Sequence, residues 1–146
     1  MEFDDYIQAG KIAGEVRENV RKTDWVGKTV FEICEHVENE IKKRGAKCAF
    51  PVNTSINEVA AHYTAEPNDP LTIKDDDLVK IDLGAQINGY IADTAVTVCY
   101  NAEFDNMVQA MRSKTTTMLP NQPQFQPFQS HQHPSAPIAV FRLIHH

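Results

Sequence analysis

The stretch Val79-Lys80-Ile81-Asp82-Leu83-Gly84-Ala85-Gln86-Ile87-Asn88-Gly89-Tyr90-Ile91-Ala92-Asp93-Thr94-Ala95-Val96-Thr97-Val98 reads as two strands joined at Asn88-Gly89. A two-residue type I′ turn needs positive φ at both central positions, and Asn-Gly supplies it readily. The turn sets Ile87 opposite Tyr90. Counting outward, Asp82 faces Ala95 and Asp93 faces Gly84. Side chains alternate between faces with period two, so Asp82 and Asp93 leave the same face as diagonal neighbours. The other face carries Val79, Ile81, Leu83, Ala85, Ala92, Val96 and Val98, a surface suited to burial.

Two acids on one face, with small Gly84 and Ala95 beside them, admit two readings. Like charges repel there, and a divalent cation, which takes hard carboxylate oxygens, makes the arrangement favourable. Alternatively, both acids are solvated on an exposed sheet face. The pattern alone leaves both open, because two ligands do not complete a metal site.

The 146 residues suffice for one domain with a core. A net charge of −6 without any basic stripe argues against nucleic acid as the main partner. No apolar run reaches membrane-spanning length, so no membrane partner is expected. The start, Met1-Glu2-Phe3-Asp4-Asp5, is acidic where a signal peptide is basic. Cys34, Cys48 and Cys99 are odd in number and lack CxxC spacing, which predicts reduced, mostly buried thiols in a cytoplasmic protein.

Upstream of the hairpin, Phe3 to Lys22 has the helical period, with Tyr6, Ala9, Ala13, Val16 and Val20 on one side. Thr29-Val30-Phe31-Glu32 fits a capping box and opens a second helix. Its expected stripe is Val30, Phe31, Cys34, Val37 and Ile41, and Gly45 is the expected stop. His36 reads as a helix-surface residue. Ala46 to Val52 is a short strand-like run broken by Pro51. The following segment carries His62 between Ala61 and Tyr63, a packed histidine or a proton or hydrogen-bond donor beside the acids. Leu71 to Ile73 suggests another short strand, and Lys74-Asp75-Asp76-Asp77 an exposed, solvated acidic turn. After the hairpin, Asn101 to Met111 begins a helix.

Phe50-Pro51-Val52-Asn53-Thr54-Ser55-Ile56-Asn57, Ala60-Ala61-His62-Tyr63-Thr64, Lys80-Ile81-Asp82-Leu83-Gly84 and Gly89 to Val98 resemble the N-terminal half of archaeal, type II methionine aminopeptidases. The Ala61-His62-Tyr63-Thr64 context favours the methionine-specific branch over proline-directed relatives. The resemblance implies an α/β pita-bread fold in which two related halves enclose a dinuclear metal site. Here only the N-terminal half is expected, two helices plus an antiparallel sheet, over residues 1–111. The implied activity is removal of the initiator methionine from nascent polypeptides. Asp82 would ligate one of two divalent ions (Co, Mn, Fe or Zn), and Asp93 would bridge both. His62 would hydrogen-bond the substrate amide as a catalytic residue, and Phe50 would line the methionine pocket.

The family's other ligands, one His and two Glu, come from a second half that this sequence does not match. From Arg112 the chain is rich in Gln, Pro, Thr and His and contains no acid. Residues 112–146 therefore read as a disordered tail or as translation in a shifted frame. His131, His133, His145 and His146 sit in no family-like motif. The competing expectation is a non-catalytic fragment or pseudoenzyme half-domain, prone to self-association through its exposed face.

Overall fold

The computed structural model describes residues 2–118 and 140–143. Its element order is α1 (Glu2–Lys22), α2 (Val30–Lys43), β1 (Lys47–Cys48), β2 (Asn53–Ile56), β3 (Leu78–Ile87), β4 (Tyr90–Cys99), α3 (Ala102–Met118) and β5 (Val140–Leu143). The sheet runs β1-β3-β4-β5, with β2 also paired to β3. Its register is the one counted from the turn: Ile87 opposite Tyr90, Asp82 opposite Ala95, Gly84 opposite Asp93. Asn88 and Gly89 take φ of 50° and 90°, the left-handed pair that a type I′ turn requires.

Helix α1 covers the apolar face of this hairpin, and α2 packs beside it on β1 and β2, in the same core. Val79, Ile81, Leu83 and Ala85 are fully buried there, against Val16 and Val20 of α1 and Val30, Ile33 and Val37 of α2. Arg17 of α1 reaches Thr94 of β4, donating from Nη1 to Oγ1 at 3.3 Å. The capping box is present: Glu32 receives the Thr29 N–H at 2.8 Å, and the Thr29 hydroxyl receives the Glu32 N–H at 3.1 Å. At the other end Gly45, at φ 84°, donates to the Lys42 carbonyl, and Ala46 donates to the Ile41 carbonyl. These are the two bonds of a Schellman stop.

Several expectations change. The buried stripe of α2 is Val30, Ile33, Cys34, Val37 and Ile41. Ile33 takes the place expected of Phe31, because it lies three residues after Val30 and four before Val37, whereas Phe31 lies six before Val37. The strand expected over 46–52 shrinks to β1, and a new strand, β2, follows Pro51. Leu71 to Ile73 contributes only a bridge, Thr29 to Thr72, that ties this segment to the start of α2. Asp77 is not solvated: it is 5% exposed and receives hydrogen bonds from the Asn57 side chain and the Lys74 N–H, each at 2.8 Å.

Helix α3 continues past residue 111 to Met118, and β5 pairs in parallel with β4, so the sheet is not wholly antiparallel. His131, His133, His145 and His146 lie outside the described residues. Among the described residues no helix is long and apolar enough to cross a membrane.

Two stability measurements follow from this packing. Ile33→Ala should cost about 2–5 kcal/mol and Phe31→Ala clearly less, read by urea unfolding. In α2, hydrogen bonds from Arg44 and Lys43 lower the Glu40 pKa from 4.5 to about 2. A depressed carboxylate pKa stabilises the fold above the unfolded value and loses that contribution as pH falls through the folded one. Glu40→Gln should therefore flatten the loss of stability between about pH 4.5 and 2. The effect is small, because solvent screens the pair.

Candidate functional site

The site begins with register. Asp82 leaves β3 and Asp93 leaves β4 on the sheet face opposite α1 and α2, and both are partly exposed. Lys80 shares that face one step away, its ammonium donating to the Asn57 carbonyl at 2.6 Å. Burial pulls the Lys80 pKa below the usual lysine range, with Glu58 partly opposing. Asp82 has no side-chain hydrogen bond or ion pair among the described residues.

Gly84 lies between the acids, two residues after Asp82 and opposite Asp93. A Cβ placed there would collide with the Phe50 ring and lie 3.0 Å from the Ala49 methyl. Phe50 therefore packs down on the sheet over Gly84, an apolar wall beside two carboxylates. The Ala49 N–H donates to the Gly84 carbonyl at 2.9 Å and fixes this approach. The absence of a side chain at 84 is what admits the ring.

His62 arrives by a different route. It stands in the loop after β2, is exposed, and has φ of 65°. Exposure disposes of the packed-core reading. The loop folds back on β2: Thr54 donates its N–H to the Tyr63 carbonyl at 2.8 Å, and Thr64 donates its hydroxyl to Asn53 Oδ1 at 2.6 Å. Asn53 is the register partner of Asp82. The structure thus brings Asp82, Asp93 and Phe50 to one face and moors the His62 loop at the Asp82 side of it. Asn53 and Thr64 did not stand out in the sequence; the only signal was a polar pair flanking the histidine segment.

Both carboxylates suit a hard divalent cation, and their shared face suits joint ligation. The donor number falls short. Among the described residues no group of three or more His, Cys, Asp or Glu side chains converges on a metal position. The three thiols add nothing: Cys34 is buried, donates toward the Val52 carbonyl, and has its pKa raised by burial.

Comparison with known proteins places the fold. The model of metallopeptidase family M24 matches residues 4–119. A methionine aminopeptidase of Methanocaldococcus jannaschii is 48% identical over 122 residues, 82% of this chain and 42% of that protein. One from Pyrococcus abyssi is 50% identical over 112 residues, 77% of this chain and 38% of its own. The crystal structure of a methionine aminopeptidase from Thermotoga maritima superposes with a TM-score of 0.64 at 25% identity, over 80% of this chain and 51% of that one. The chain spans about two fifths of the length of the curated relatives it matches.

The Gly84–Phe50 contact is directly testable. Gly84→Ala should destabilise the fold by about 1–3 kcal/mol through overpacking. In the Phe50→Ala background the same change should cost much less, a coupling read from a double-mutant cycle of urea unfolding.

Proposed function

Because the chain belongs to metallopeptidase family M24 and has the pita-bread arrangement of its N-terminal half, we propose that its sheet face is the first half of a dinuclear aminopeptidase site acting on N-terminal methionine. The observation that carries this reading is the placement of Asp82 and Asp93 on one face, with the Phe50 ring over Gly84 between them. Divalent metal use goes with the family; cobalt, manganese, iron and zinc all accept carboxylate donors, so the reading names the class of ion.

In this proposal Asp82 and Asp93 supply carboxylate oxygens, and further donors come from outside the described residues. Bound ions would lower the pKa of a water and polarise the scissile carbonyl. The chain's own groups do the rest. Phe50 offers an apolar, polarisable contact for an unbranched thioether side chain, which suits methionine. His62 donates a hydrogen bond to the substrate amide and holds it as the carbonyl carbon becomes tetrahedral. Lys80, held by Asn57, keeps one positive charge on the acid face. The substrates are the N-termini of new polypeptides, and the reduced state of Cys34, Cys48 and Cys99 suits a cytoplasmic location.

A second reading has its own support. The donor shortfall among the described residues favours a half-domain that binds without turnover. Phe104 and Met107, exposed on α3, offer apolar surface for self-association.

Cleavage of a Met-Ala-Ser peptide by purified protein reconstituted with Mn²⁺ or Co²⁺ separates the two. The catalytic reading expects turnover that Asp93→Ala abolishes. Turnover absent from folded protein, with calorimetric metal binding that Asp82→Ala and Asp93→Ala each remove, supports the binding half-domain instead.

A further inference from the structure

We propose that Asn53 and Thr64 form a latch that positions His62 at the edge of the carboxylate face, an inference that rests on the catalytic reading above. Asn53 opens β2 and stands in register with Asp82. Its Oδ1 accepts the Thr64 hydroxyl at 2.6 Å. The next residue of the strand, Thr54, gives its N–H to the Tyr63 carbonyl at 2.8 Å. Two consecutive residues of β2 therefore hold the two residues that follow His62. The Tyr63 hydroxyl donates to Asp69 at 2.7 Å and anchors the loop on its far side.

The latch has something to hold. His62 sits at φ 65°, a backbone region that non-glycine residues avoid, and such a conformation persists only where its surroundings fix it. The imidazole itself is exposed. With His62 exposed, the loop backbone sets where the ring can reach. The reference point for that placement is β2, and through the Asn53–Asp82 pairing it is the acid site itself. A displacement of about 1 Å at a catalytic group can lower a rate about 100-fold. Asn53 and Thr64 act through His62 and are positioning residues; neither is assigned to metal or substrate.

The test uses the 146-residue chain, isotopically labelled. Thr64→Val removes the hydroxyl donor at nearly constant volume, and Thr64→Ser keeps it. Unchanged amide shifts in β3 and β4 would establish that each variant is folded. In Thr64→Val the Thr54 amide should exchange at least about tenfold faster, since it loses a fixed acceptor. The His62 ring resonances should shift or broaden, while calorimetric Mn²⁺ binding stays as in the parent. Asn53→Ala should reproduce these changes, and Thr64→Ser should restore the parent behaviour. Where the parent cleaves Met-Ala-Ser, Thr64→Val should lower kcat by about 10- to 100-fold with KM little changed. Unaltered Thr54 exchange and His62 resonances in folded Thr64→Val would overturn the latch. A parent that binds Mn²⁺ but never turns over would count against the catalytic reading alone, and the exchange and resonance measurements would still decide the latch.

Discussion

The register of the β3–β4 hairpin is the constraint on which the core and the site both depend. Period-two alternation means that a slip of one residue turns every side chain to the opposite face. Such a slip would carry Asp82 and Asp93 into the layer beneath α1 and α2 and bring Val79, Ile81 and Leu83 out of it. Each of those apolar side chains is worth about 1.5–3 kcal/mol when fully buried. Placing carboxylates in their stead adds a desolvation cost of several kcal/mol per charge. The turn at Asn88-Gly89 proposes the register, with φ of 50° and 90°, and the core enforces it. The acids share a face because the valines and the leucine must share the other.

Asn57 performs the equivalent task for β2. At φ 51° it turns the chain out of the strand, and it exchanges bonds with the start of β3. Its N–H donates to the Leu78 carbonyl, its Oδ1 accepts the Leu78 N–H, and its Nδ2 donates to buried Asp77. Lys80 then closes on the Asn57 carbonyl. These bonds fix the end of β2 against β3, and the four-residue ladder carries that registration back to Asn53 beside Asp82. The buried side chains of Thr54 and Ser55 are part of the same arrangement, since a short edge strand with few apolar residues needs hydrogen bonds to hold it.

How much of this the sequence disclosed follows from which forces are periodic. Helices α1 and α2, the capping box at Thr29, the stop at Gly45 and the whole β3–β4 register were legible, because hydrophobic period and turn chemistry agree there. Strand β2 was not, because Asn53-Thr54-Ser55 is polar and its burial comes from tertiary pairing that overrides strand propensity. Asp77 looked like one more surface acid in a run of three; its hydrogen bonds to Asn57 and Lys74 are invisible to composition. At the candidate site, Asp82 and Asp93 emerged from counting, His62 was left open by its own residues and given a role by resemblance, and Phe50 came from resemblance alone. A glycine floor beneath the Phe50 ring and a His62 loop tied to β2 are set by tertiary packing, which no local pattern reveals.

Electrostatics sets what such a face can do unaided. Diagonal neighbours on paired strands lie about 7–8 Å apart. At an effective dielectric of about 20, two carboxylates at that separation repel by roughly 2 kcal/mol. A dication between the acids would be attracted to both about twice as strongly as a monovalent ion, so on the proposed reading the face suits divalent ions. Selectivity of charge is not completeness of coordination, however. Divalent ions of the transition series take four to six donors, and two aspartates leave most of those positions to water. A water-rich ion is held weakly, and its surroundings do little to fix the one water that would attack a substrate. On the proposed reading, the two aspartates would mark where metal goes and with what charge, while tight binding and turnover would depend on donors beyond the described residues.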